Sequence, residues 1–168
     1  MKRRWGILLG VFVMFFSKAQ AAELKVGSVA PDFSAPASDG SRVHLTEWLD
    51  RAPIVLYFYP KDDTPGCTKE ACGIRDGFAA FRHLKATVFG VSYDSVKSHQ
   101  KFIEKYRLPF LLLSDLDHNI AKAYGASGIF APSRQTFVID KRGVIIYVNR
   151  SVNPASHSIE LQNFLSQL

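Results

Sequence analysis

The sequence predicts one α/β domain, a mixed central sheet flanked by helices. Short apolar runs rich in β-branched and aromatic residues alternate with amphipathic helical patterns. The last two runs flank Lys141-Arg142-Gly143, a turn suited to an antiparallel hairpin. No Pro/Gly/Ser-rich linker divides the chain. In order, Ile54–Tyr59 reads as a buried strand. Ile74, Phe78, Phe81 and Leu84 then mark the buried face of a helix from about Cys67 to Lys85. Thr87–Ser92 is the next strand, and Asp94-Ser95 caps a helix whose apolar face carries Val96, Ile103 and Tyr106. Strands at Phe110–Leu113, Thr136–Asp140 and Val144–Asn149 follow, and Leu161, Phe164, Leu165 and Leu168 give a terminal amphipathic helix.

The net charge of +6 over 168 residues needs correcting before it is interpreted. Lys2, Arg3 and Arg4 precede an uncharged run from Trp5 to Phe16, followed by Ala19 and Ala21 in A-x-A spacing. This is the pattern of a cleavable export signal over residues 1–21, with a single domain over residues 22–168. The run is short for a membrane span of roughly 20 residues, although an uncleaved anchor is the alternative. Cleavage removes Lys2, Arg3, Arg4 and Lys18, leaving 17 basic residues against 15 acidic ones, a charge of +2. Nucleic-acid binding thereby loses its electrostatic support. The chain is expected to be exported, to the periplasm, with no membrane association after cleavage. Two cysteines are too few for a disulfide-stapled scaffold.

The chemistry concentrates between Tyr59 and Cys72, in YPKDDTPGCTKEAC. A strand ends near Pro60, a polar turn follows, and a helix opens at or near Cys67. A thiol there faces unpartnered backbone N–H groups and the positive end of the helix dipole. Its pKa is expected to fall below the ordinary value of about 8.5, favouring the reactive thiolate. Thr64, three residues earlier, is placed to hydrogen-bond the sulfur or a bound oxygen. A structural Cys67–Cys72 disulfide is the competing reading. On one intact helix, however, five residues separate Cα atoms by about 8.7 Å, beyond the roughly 7 Å limit for an unstrained bridge. That spacing suits a pair that reshapes during turnover.

These residues resemble a known family. Pro60-x-x-x-Thr64-x-x-Cys67 is similar to the peroxiredoxin active-site motif, and FYPKDDTPGCTKEACGIRD, from Phe58 to Asp76, resembles the bacterioferritin comigratory protein (peroxiredoxin Q) subfamily. The likeness extends from Val26-Gly27 and Ala30-Pro31-Asp32-Phe33 through Gly90-Val91-Ser92 and Leu113-Ser114-Asp115 to Ser133-Arg134-Gln135-Thr136-Phe137. It implies a thioredoxin-like fold and thiol-dependent reduction of hydrogen peroxide and organic hydroperoxides. By that resemblance Cys67 is the peroxidatic cysteine and Cys72 the resolving one. Arg134 stabilises the thiolate and polarises the peroxide, Thr64 orients both, and Pro60 shields the pocket. The resemblance further implies a cofactor-free monomer recycled by a thioredoxin-type dithiol reductant.

Other residues carry weaker signals. Glu70 and Arg75 read either as a supporting ion-pair network or as solvated charges. His99 falls on the apolar side of its helix and reads as a core histidine. His44, His83, His118 and His157 show no metal-ligand spacing, so no metal is expected. Lys141-Arg142 reads as an exposed hairpin tip. The chain departs from the family in its export signal and in a shortened stretch from Tyr124 to Pro132, which borders the pocket. A thioredoxin-like disulfide exchanger would use the same fold, but would carry C-x-x-C where this chain has C-x-x-x-x-C. A disulfide-stabilised binding module would need no activated thiol.

Overall fold

The computed structural model describes residues 23–168; the expected export signal lies outside them. A small antiparallel hairpin, β1 (Ser34–Pro36) and β2 (Arg42–His44), precedes the main sheet. That sheet comprises β3 (Ile54–Phe58), β4 (Thr87–Ser92), β5 (Leu111–Ser114), β6 (Gln135–Ile139) and β7 (Ile145–Asn149) in the order β5-β4-β3-β6-β7. β3, β4 and β5 run parallel, and β6 and β7 run antiparallel to their neighbours. The helices are α1 (Pro65–Asp76), α2 (Phe78–His83), α3 (Val96–Tyr106), α4 (Asn119–Ala123) and α5 (His157–Leu165).

β3 is apolar and buried throughout, as expected of a central strand covered on both faces. The two-residue alternation of a strand divides it between two cores. Ile54, Leu56 and Phe58 join the N-terminal hairpin, Phe89, Phe137 and α4 on one face. Val55 and Tyr57 join Cys67, Ala71 and Ile74 of α1, Phe81 of α2, Phe102 of α3, and Leu161 and Leu165 of α5 on the other. The chemistry-bearing helix is thus pressed against the middle of the sheet.

The predicted mixed sheet and C-terminal hairpin are present. Asp140 secures the hairpin turn by accepting hydrogen bonds from the Arg142 and Val144 N–H groups, both at 2.9 Å. Gly143 supplies the positive φ of 78° that the turn requires. The long helix expected over Cys67–Lys85 instead breaks at Gly77 into α1 and α2. There α5 comes so close that a Cβ on Gly77 would lie 2.3 Å from Gln162 Nε2 and 2.7 Å from Ser158 Oγ. The helix also begins earlier, because Pro65 takes the first position, where its missing N–H costs nothing. The buried face of α3 centres on His99 and Phe102, with Ile103 and Tyr106 at its margin. Leu168 lies beyond α5 and is exposed. β1, β2, a 3-10 turn at Leu45–Glu47 and α4 are too short to carry a readable period.

Gly90 in β4 leaves room for side chains of the neighbouring strands β5 and β3. A Cβ there would meet Leu112 Cδ2 at 2.6 Å and the Tyr57 ring and hydroxyl at 2.8 Å, and both of those side chains are buried. Gly90→Ala should therefore destabilise by about 1–3 kcal/mol, lowering Tm by roughly 2–10 °C in a thermal melt.

Candidate active site

The chain leaves β3 along a loop that buried polar contacts hold in place. Asp62 accepts hydrogen bonds from the Tyr59 hydroxyl (2.7 Å), the Ser98 hydroxyl (2.8 Å) and His99 Nδ1 (2.9 Å). Its backbone N–H donates to Asp94 Oδ2 at 2.9 Å. His99 is fully buried, as its sequence position implies. Asp63 follows in the left-handed region at φ 56°, its carboxylate bonded to Lys105 and Tyr106 of α3 at 2.6 Å each. The direction of α1 is therefore set by α3 and the end of β4.

Thr64 is the N-cap of α1, so Pro65, Gly66 and Cys67 occupy its first three positions. The Thr64 carbonyl accepts from the Thr68 N–H at 2.8 Å. Its hydroxyl donates to the Lys61 carbonyl at 3.0 Å and not to the sulfur, which corrects one of the two contacts expected from the sequence and leaves that to a bound oxygen. The hydroxyl proton is spent on the loop, which leaves the Thr64 oxygen able only to accept a further hydrogen bond. Cys67 stands on the first turn, where backbone N–H groups lack intrahelical acceptors and the dipole favours an anion.

Arg134, at the entrance to β6, reaches across this turn. Its Nη2 donates to Cys67 Sγ at 3.2 Å and its Nη1 donates to Glu70 Oε2. Glu70 has no exposed surface. Its other oxygen lies 2.9 Å from Nδ1 of His157, the first residue of α5. The pair is out of line for an ideal hydrogen bond, and neither atom has another hydrogen-bond partner among the described residues. His157 Nε2 shares a 2.9 Å hydrogen bond with Thr136 Oγ1 on β6. Thr136 is the register partner of Tyr57 on β3, whose ring meets the His157 ring edge-on at 6.0 Å. Burial disfavours the charged guanidinium of Arg134, but the charges of Glu70 and Cys67 outweigh it and raise its pKa above the ordinary value. Burial also pushes the Tyr57 pKa well up, with Glu70 and Cys67 adding to it, so its phenol stays neutral.

The structure thus brings Cys67, Thr64 and Arg134 together, with Pro60 where β3 gives way to the loop. Cys67 is 2% exposed, Cys72 is half-buried, and both are free thiols on α1. Glu70 belongs to a buried ion-pair network. Arg75 does not, pairing with Asp76 and the Tyr106 carbonyl at 2.8 Å each. His157 and Thr136 were not singled out from the sequence. The available signal for His157 was its spacing of four residues from Leu161 and eight from Leu165, which puts all three on the buried face of α5. The shortened stretch before Arg134 carries two exposed apolar side chains, Ile129 and Phe130.

Comparison with known proteins agrees with this geometry. Residues 26–148 match the AhpC/TSA family. The chain is 44% identical over 146 residues to peroxiredoxin Q, chloroplastic, of Triticum aestivum, covering 84% of this chain and 67% of that protein. It is 44% identical over 149 residues to the putative peroxiredoxin bcp of Coxiella burnetii, covering 82% and 96%. Among solved structures it resembles peroxidoxin BcpB from Mycobacterium tuberculosis with a TM-score of 0.82 and 34% identity, covering 86% of this chain and 98% of that one. A cysteine variant of Xylella fastidiosa PrxQ gives a TM-score of 0.81 and 31% identity, covering 86% and 96%.

Two thiols five residues apart on an intact helix cannot bridge, so joining them must undo the first turns of α1. Amide hydrogen exchange, followed by mass spectrometry on the reduced and disulfide forms, should show protection lost over residues 67–73 and retained over Phe78–His83. Equal protection in both forms would contradict the helix placement.

Proposed function

The chain belongs to the AhpC/TSA family, in its peroxiredoxin Q branch, and from that premise we propose that Cys67 is the peroxidatic thiolate and Cys72 the thiol that resolves it. The enzyme is a thiol-dependent peroxidase. The observation that carries the assignment is the Arg134 guanidinium bonded to a buried sulfur on the first turn of α1. Fixed positive charge from the arginine and the helix terminus stabilises the thiolate, which attacks the terminal peroxide oxygen. The O–O bond breaks, the sulfur becomes a sulfenic acid, and the alcohol or water departs once protonated. Arg134 also faces the oxygen on which charge develops, and Thr64 offers acceptor lone pairs to the peroxide O–H. Pro60 and the buried loop behind it keep bulk water from the sulfur.

Resolution follows when the Cys72 sulfur displaces the sulfenic oxygen, and an external dithiol then reduces the disulfide by exchange. Both cysteines, Thr64 and Arg134 come from one chain, which supports a cycle complete within a monomer. The N-terminal pattern of residues 1–21 supports export to the periplasm, so the proposed reductant is a thioredoxin-type dithiol of that compartment. A simple dithiol–disulfide exchanger is disfavoured, because its two sulfurs must bridge without dismantling their helix.

Cys67→Ser should abolish peroxide consumption, whereas Cys72→Ser should complete one fast turnover and accumulate sulfenate, read by stopped-flow mixing and thiol trapping. Equal loss of the first turnover in both variants would overturn the assignment. Arg134→Met should slow the first turnover by about 10²–10³-fold, the usual cost of losing a fixed group that stabilises transition-state charge. The defect should persist at alkaline pH where the thiol is fully ionised.

A further inference from the structure

We propose that the buried Glu70–His157 contact is a latch on α1, and that Glu70 and His157 are positioning residues which set how fast the sulfenate on Cys67 is resolved. The inference rests on the peroxidase reading above. Glu70 lies between Cys67 and Cys72, inside the very segment that the disulfide closes. Bringing Cα atoms from about 8.7 Å to within roughly 7 Å requires that segment to leave helical geometry, and Glu70 must move with it. Its carboxylate is held from two sides by groups that are not on α1. Arg134 enters from the loop before β6, and His157 from the first turn of α5. His157 is itself tied to Thr136 in the interior of β6. The latch therefore joins the helix that opens to the sheet that does not.

The second half of α1 packs differently. Gly73 and Gly77 lie against Ser158 and Gln162 of α5, so Glu70 is the buried polar side chain pinning the half that has to unwind. A buried carboxylate separated from its partners is strongly disfavoured, which makes opening slow while the latch is made. The polar partners of His157 are Glu70 and Thr136, and it hydrogen-bonds neither Cys67 nor Arg134. It acts on the reaction through Glu70.

Resolution balances without any added oxidant. The Cys72 sulfur attacks the Cys67 sulfur, the S–S bond forms as the S–O bond breaks, and the hydroxyl leaves as water with the Cys72 proton. The latch alters the rate at which the two sulfurs meet and leaves the chemistry of the encounter unchanged.

The test is rapid-quench alkylation with mass spectrometry, which counts thiol, sulfenate and disulfide against time after one equivalent of hydrogen peroxide. His157→Phe keeps a buried ring against Tyr57 and removes both ring nitrogens. It should speed the conversion of sulfenate to disulfide at least tenfold while peroxide attack gains nothing, so less protein is over-oxidised to sulfinic acid in excess peroxide. Glu70→Gln should speed resolution likewise. Because both changes break one link, the double variant should resolve no faster than the faster single variant. Leu45→Ala, destabilising in the core on the sheet face opposite α1 and α5, should leave the resolution rate unchanged. Unaltered resolution in His157→Phe and Glu70→Gln would overturn the latch, as would acceleration that adds fully in the double variant or appears equally in Leu45→Ala. Failure of Cys72→Ser to form any sulfenate would instead defeat the underlying peroxidase reading.

Discussion

Glu70 places a carboxylate where no solvent reaches it, and much of the site's architecture answers to that placement. An isolated buried charge is prohibitive, so its oxygens must be met by partners brought from elsewhere in the fold. Arg134 and His157 supply them, drawing the loop before β6 and the start of α5 onto α1. Arg134 then has one amine committed to Glu70 and the other aimed at Cys67 Sγ. The carboxylate thus fixes the guanidinium that the sulfur uses. The same carboxylate partly compensates the guanidinium in a buried setting, and the arginine stays charged despite the burial that opposes it.

A second constraint pulls against this rigidity. Attack by Cys67 needs an intact first turn, because the backbone donors and dipole exist only while α1 is helical. Resolution needs the same turn undone. A helix built only for stability would make the first step efficient and stall the second. Here the opening segment is short and sits between Gly66 and Gly73, which lower the local cost of leaving helical geometry. Beyond it, Ile74 and Phe81 remain anchored in the core shared with α5.

The sequence made the strands legible because β3 is an unbroken apolar run, β4 carries Val88, Phe89 and Val91 between its polar ends, and β6 and β7 flank a glycine turn of readable chemistry. Cys67, Thr64 and Arg134 were legible as a motif, while the role of Glu70 was left open between pairing and solvation. A charged residue at one turn's spacing from a cysteine looks the same whether it faces solvent or core. What decides between them is the arrival of α5, nearly ninety residues later in the chain. The break at Gly77 was hidden for the same reason, since the crowding comes from Ser158 and Gln162 of that helix. The Thr64 hydroxyl donates to the Lys61 carbonyl and not to the sulfur, because the loop conformation that brings this acceptor close is not encoded in periodicity.

That loop explains which side of Cys67 is free to move. Upstream, residues 59–63 are tied down by Tyr59, Ser98, His99 and Asp94 around Asp62, and by Lys105 and Tyr106 around Asp63. These contacts are made to α3 and to the end of β4, which carry neither thiol. Downstream, between Cys67 and Cys72, the buried polar tether is the one at Glu70, and the segment has no comparable web of bonds to α3. When the helix opens, strain follows the weaker side, so Pro60 and Thr64 stay in register while Cys67 swings toward Cys72. The pocket then needs only the short segment to rewind after reduction, since its proline, threonine and arginine have kept their places. An asymmetric anchorage of this kind lets one helix alternate between two geometries while the sheet beneath it keeps one.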